Sequence, residues 1–354
     1  MPANNKDRRT PQGSAIESQG PEVIAGLVKT IESEFPGSRT GVVIVQSNQL
    51  NPERGKVIID QGETKSLMYA ASIPKIAWIA GALHVAKKNN IPLHTPVIPL
   101  DQLAQKEIRA ELDNDIGRPD ISVRRALSLQ KMTNLTLGLS ANAPLGVLKN
   151  WISKQTAREA ADVIQDRTEE ILKNVLGRNE ILWTTTGSKK AEANGIWNCA
   201  SLEELLTFFR LIANGDQRLE LSQPSIQMMQ RAIEMTADRD IELGSRLQRN
   251  KKIRRVFGKS GYWPYTEAED IPKLATIYRL GPGMRWLMHL CSVERIEEKS
   301  GTNYDVGLMV AIPNNLEQNV VFEELQRRGE NSEFTAMKRR AADIVSGGIA
   351  GLFQ

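Results

Sequence analysis

Ser72-Ile73-Pro74-Lys75 places a hydroxyl and an amine three residues apart at the start of an apolar helical run. Residues i and i+3 share one helix face with their side chains a few ångströms apart. A neutral amine at Lys75 can therefore take the proton of the Ser72 hydroxyl, which is a poor nucleophile until a base activates it. The chemistry this permits is acyl transfer through a covalent serine ester. The same spacing recurs at Ser128-Leu129-Gln130-Lys131, and a chain of this size holds roughly one or two such matches by chance. Context separates the two. Ser72 precedes Pro74, a residue favoured in a first helical turn, and then Ile76, Ala77, Ile79, Ala80 and Leu83, an apolar stripe; Ser128 falls within a helical run. The free N–H groups of a helix start also favour negative charge developing beside Ser72. The plain alternative is a helix cap next to a surface lysine.

Two more short elements follow in order, Ser140-Ala141-Asn142 and Lys259-Ser260-Gly261. Ser140 and Asn142 alone could satisfy a loop before Pro144. The K-[ST]-G pattern has a second copy, Lys299-Ser300-Gly301, whose glycine suits a hairpin turn. Lys259 instead follows the strand-like Arg255-Val256-Phe257. Taken together the three elements resemble the S-x-x-K, S-x-N and K-[ST]-G signature of the penicillin-binding protein and serine β-lactamase superfamily. The resemblance is nearest to class A β-lactamases and runs from about Pro21 to Leu352. Ile121 to Leu127 leads into the S-x-N element as that family's helix does. Asn198-Cys199-Ala200-Ser201, with Leu205 and Ile212 to Gly215, is similar to the helix after its omega loop.

The resemblance implies that Ser72 attacks a carbonyl while Lys75 accepts its proton, its pKa lowered by burial and by the neighbouring charge of Lys259. Ser140 relays a proton to the leaving nitrogen and Asn142 binds the substrate amide. Lys259 and Ser260 hold a substrate carboxylate by charge-assisted bonds. The backbone N–H groups of Ser72 and Tyr262, the latter just after Gly261, receive the oxyanion. The substrate is a small amide, ester or β-lactam, and no cofactor is needed. One departure matters. Class A enzymes use an omega-loop glutamate to activate the deacylating water, and the matching stretch Leu182 to Asn198 offers only Glu192, without the family's flanking residues. Two other readings follow: a penicillin-binding D-alanyl peptidase or acyltransferase with a long-lived adduct, and a non-catalytic module on the same fold.

The elements that must position these residues read as an α+β fold. A helix is expected over Pro21 to Phe35, a strand over Thr40 to Ser47 with a hairpin partner at Lys56 to Asp60, and a mainly helical stretch thereafter. Within it Ala157 to Leu176, Ser201 to Ala213 and Ser222 to Met235 are the clearest helices. Strands return at Arg255 to Lys259, Leu274 to Arg279, Arg285 to Ile296 and Tyr304 to Ile312, and helices close the chain at Asn319 to Glu330 and Glu333 to Leu352. The order predicts an antiparallel sheet built from both chain ends and flanked by helices, with an inserted all-helical region. In residue numbers, 1–20 is a disordered tail, 21–71 with 250–354 the sheet region, and 72–249 the helical region.

Composition is that of a globular protein: 354 residues, 40% hydrophobic, 25% charged, formal charge +4. The basic run Arg249, Lys251, Lys252, Arg254 and Arg255 lacks the stacking aromatics of a nucleic-acid site and reads as a solvated turn. Cys199 and Cys291 give neither a disulfide framework nor a zinc site, and His84, His94 and His289 have no ligand spacing, so no metal is expected. No apolar run is long enough to span a bilayer. Without a secretory leader the sequence as written is expected to be cytoplasmic, or exported if a leader precedes it. Oligomeric state is not encoded in any pattern here.

Overall fold

The computed structural model describes residues 15–234, 246–247, 250–263, 286–314 and 333–354. Helix α1 (Ala15–Glu34) starts earlier than its sequence pattern, continuing back through Pro21 into the stretch expected to be a disordered tail. Ile16 is the reason. It is buried beside Ile59, and would-be side-chain space at Gly20 is filled by both, so packing carries a turn that proline would otherwise end.

Strands β1 (Arg39–Asn48) and β2 (Asn51–Gly62) form the expected hairpin, with Ile44 opposite Ile59 and Asn48 opposite Asn51. The two-residue strand β3 (Met68–Tyr69) leads to α2 (Lys75–Lys88), then β4 (Ile98–Pro99) and α3 (Gln102–Ala110). A π-helical turn, Glu111–Ile116, extends α3. Residues 121–125 are irregular, where a family-like helix was expected. The chain there forms only β5 (Ala126–Leu127) before α4 (Leu129–Thr133). Ser128 is the N-cap of α4 and takes the N–H of Lys131, so this second S-x-x-K match is a capped helix start, not part of a helix interior.

A second π turn, Asn134–Gly138, precedes α5 (Ala143–Thr156) and α6 (Ala160–Leu176). The loop that follows carries α7 (Lys189–Asn194) and ends in β6 (Cys199–Ala200), which pairs with β3. Helix α8 (Leu202–Asn214) opens with a capping box between Ser201 and Glu204, and α9 (Gln223–Glu234) follows. Strands β7 (Ile253–Trp263), β8 (Trp286–Glu298) and β9 (Thr302–Asn314) return to the sheet, and α10 (Glu333–Gly351) packs against α1. Lys299-Ser300-Gly301 is the β8–β9 turn, with Gly301 at φ +92. Of the basic run, Lys251 and Lys252 form an exposed turn, while Arg254 and Arg255 pair with Glu297 and Glu234. The expected strand at Leu274 to Arg279 and helix at Asn319 to Glu330 lie outside the described residues.

The main sheet is antiparallel in the order β2-β1-β9-β8-β7. Its central strands are buried on both faces, which is why β1 reads as a continuous apolar run. Val42 and Ile44 join the cluster under α1 and α10, whereas Val43 and Val45 join the core shared with the helical region. The fold is α+β, as the sequence predicts. Strand β7 is left at the sheet edge, facing the helices.

Candidate active site

The nucleophile candidate stands on a tight turn and not yet on the helix. Ile73 N–H bonds to Ala70 O and Lys75 N–H to Ser72 O, three-residue turns that tighten into α2, whose first residue is Lys75. The preceding residue, Ala71, has φ +45, a conformation that disfavours side chains and marks stored strain. Its surroundings hold it there. Asn198 donates from Nδ2 to Ala71 O at 2.7 Å and accepts the Ala70 N–H at 2.9 Å, while itself at φ +58. From below, Cys291 Sγ donates to Ala70 O at 3.1 Å. Tyr69, bonded to Asn198, completes the brace, and burial pushes its phenol up to about 12.

Strand β7 passes directly against this turn. A methyl group added at Gly261 would sit 2.6 Å from the backbone N of Ser72, so only glycine permits the approach. That approach sets the main chain of Gly261 close to the Ser72 backbone nitrogen. The Tyr262 ring lies partly buried against the α1 and α10 cluster, under the Lys338 ammonium at 3.9 Å.

Ser140 is the meeting point of the two lysines. Lys75 Nζ donates to Ser140 O, 65 residues away, and Lys259 Nζ donates to Ser140 Oγ at 3.0 Å, 119 residues away. Ser140 is at φ +56, a left-handed turn that presents its carbonyl to one amine and its hydroxyl to the other. Lys75 is 5% exposed and Lys259 1% exposed, whereas Ser72 and Ser140 are half-buried at the mouth. Burial, then the like charge of Lys259, lowers Lys75 to about 7, with Glu111 acting in the opposite direction. Lys75 is thus half neutral near neutrality. Its hydrogen bond goes to Ser140 and not to the Ser72 hydroxyl. Such bonds often tighten only when substrate arrives. Lys259 also bonds to Ser260 O, and Ser260 is buried beside it.

Asn142 is exposed next to this centre and occupies the N-cap of α5, yet its side chain makes no cap hydrogen bond. The cap comes from elsewhere. Glu111, the first residue of the π turn after α3, takes the N–H of Asn142 at 2.6 Å and of Ala143 at 2.7 Å with its two carboxylate oxygens. Bonds of this charge-assisted kind contribute roughly 1.5–3 kcal/mol each. Neither Glu111 nor Asn198 has a spacing signal that marks a role. Glu111 lies 31 residues before its partner, on a helix whose pattern is simply amphipathic.

The loop before β6 is pinned without bringing a carboxylate to the centre. Buried Glu204 takes Arg178 and the Leu182 N–H, Gln165 bridges Trp183 O and the Thr185 N–H, and Thr184 pairs with Cys199. Glu192 sits on α7 and is exposed. Among the described residues no group of histidine, cysteine and carboxylate side chains is placed to hold a metal ion, and no helix is long and apolar enough to cross a membrane. His289 packs against Tyr69, and burial holds its imidazole down at about 3.

No family model and no curated protein sequence matches the chain. Solved structures do, and they define the class of fold. A class A β-lactamase from Mycobacterium abscessus aligns with a TM-score of 0.56 at 13% identity, over 92% of this chain and 97% of that one. A representative of class A β-lactamase from Bacteroides cellulosilyticus DSM 14838 gives 0.54 at 11% identity, over 95% and 100%. A mutant of PBP-A, in an acyl-enzyme complex with penicillin G, gives 0.54 at 12% over 93% and 96%. The chain has the fold of class A β-lactamases and PBP-A, in agreement with the superfamily its three motifs resemble.

Proposed function

We propose that this protein is a serine hydrolase that acts through a covalent acyl-enzyme on a small amide or ester, β-lactams included. Ser72 Oγ attacks the carbonyl carbon as Lys75 takes its proton. The oxyanion so formed meets the N–H groups of Ser72 and Tyr262. Collapse breaks the bond to the leaving group, the nitrogen of an amide or the alkoxide oxygen of an ester, which receives a proton through Ser140, and leaves the acyl ester on Ser72. Lys259, buried behind Ser140, supports that transfer and, with Ser260, draws in a substrate carboxylate. Asn142, at the rim, hydrogen-bonds the substrate amide. The observation that carries the reading is the convergence of two buried lysines on Ser140 beside the Ser72 turn.

The exposed position of Glu192 favours slow release. Water must then be activated by Lys75 itself, so the ester persists as in a penicillin-binding acyltransferase. Intact-protein mass spectrometry over time, after exposure to penicillin and to a generic ester, tests both steps. A mass increase equal to the whole penicillin, whose opened ring stays attached, or to the ester less its alcohol, absent in Ser72→Ala, is the expected result, with decay slow against formation. Folded protein that takes up no probe would leave a binding module on this fold.

A further inference from the structure

Helix α5 begins with an asparagine whose side chain does not do the usual work of its position. Asparagine at an N-cap normally takes the N–H two or three residues on. Here Glu111 supplies both acceptors from another element, at 2.6 and 2.7 Å, to the N–H groups of Asn142 and Ala143. Two consequences follow from the geometry. The Asn142 amide is released to the exposed rim, where a substrate amide can reach it. The turn at Ser140, two residues before, is fixed between a π turn on one side and a clamped helix start on the other. The same carboxylate acts electrostatically on Lys75, opposing the effect of Lys259. Glu111 itself is half-buried and joins α3 to its π turn, the kind of helix irregularity often found at functional sites.

We propose that Glu111 is the positioning residue of this site: its clamp on α5 sets Ser140 against both lysines and frees Asn142 for substrate. It touches no reacting atom, and acts through Ser140, Asn142 and Lys75. The proposal rests on the acyl-transfer reading for its kinetic consequence but not for the clamp itself.

Glu111→Gln keeps the shape and removes both the charge and one acceptor; Glu111→Asp keeps the charge at shorter reach. Three measurements are made on the full chain: amide exchange at Asn142 and Ala143, titration of Lys75 by competitive acetylation read on peptides, and the pH profile of acylation by a fluorescent penicillin. In Glu111→Gln the two amides should exchange at least tenfold faster, the Lys75 titration and the acid limb of acylation should move to lower pH, and the acylation rate should fall at least tenfold. Glu111→Asp should slow acylation while leaving the limb in place. Unchanged exchange, or slowed acylation with an unmoved Lys75 titration in Glu111→Gln, overturns the proposal. If the parent protein accepts no acyl probe, the hydrolase reading fails while exchange and Lys75 titration still decide the clamp.

Discussion

Lys75 is asked to be two things, a buried cation tolerated by the fold and a free amine available to Ser72. Near pH 7 it is held between them by burial and by Lys259. The acylation rate should therefore rise with pH through about 7, as the amine loses its proton. Lys259→Gln removes the like charge, so Lys75 holds its proton more tightly and the acid limb should move to higher pH, the opposite of Glu111→Gln. Rates of adduct formation across pH 5 to 9 check the sign; a limb that stays in place in Lys259→Gln would show that the two amines do not sense each other. Ser140 is the residue through which they are linked, since one amine bonds its carbonyl and the other its hydroxyl.

At the scale of elements, the decisive contact is between an edge strand and a turn. β7 reaches the Ser72 backbone because Gly261 has no side chain, and the turn resists because Ala71 is already in a left-handed conformation. Gly261→Ala should thus push strand and turn apart by fractions of an ångström and reduce acylation by about tenfold, since a misplacement of about 1 Å costs about a hundredfold. Thermal unfolding and acylation measured together would separate a displaced oxyanion site from a destabilised sheet. The sequence made part of this legible. Lys259-Ser260-Gly261 lies on the strand and Ser140-Ala141-Asn142 in the loop that local pattern indicates, whereas Ser72 stands on a turn ahead of the helix it was expected to share with Lys75. What sequence did not reveal depends on pairs without spacing: Glu111 with Asn142, Asn198 with Ala71, Cys291 with Ala70. The extension of α1 through Pro21 escaped for the same reason, since the burial of Ile16 against β2 is a tertiary fact.

For the molecule as a whole, the site is a burden on stability. A lysine whose pKa is about 7 when folded and near 10.5 when unfolded binds more protons in the unfolded chain between those values. Stability is therefore lost as pH falls from about 10.5 to about 7, and the loss levels off below 7. Lys75→Met removes this cost while abolishing the base. Its gain in unfolding free energy should grow as pH is lowered across that window and then stay constant, with acylation absent throughout. Chemical denaturation at several pH values checks it; a gain independent of pH would mean that Lys75 is accommodated without a charge penalty.

The pairing of β1 with β9 also has a meaning in time. Val42 faces Leu308 and Ile44 faces Val306, so an apolar strand made early by the ribosome must wait for a neighbour encoded roughly 250 residues later, about 10 to 50 s at ordinary rates of translation. Until then the β1–β2 hairpin offers an unzipped flank to any passing strand. Biosynthesis of this protein therefore contains an interval in which that flank stands open to mispairing.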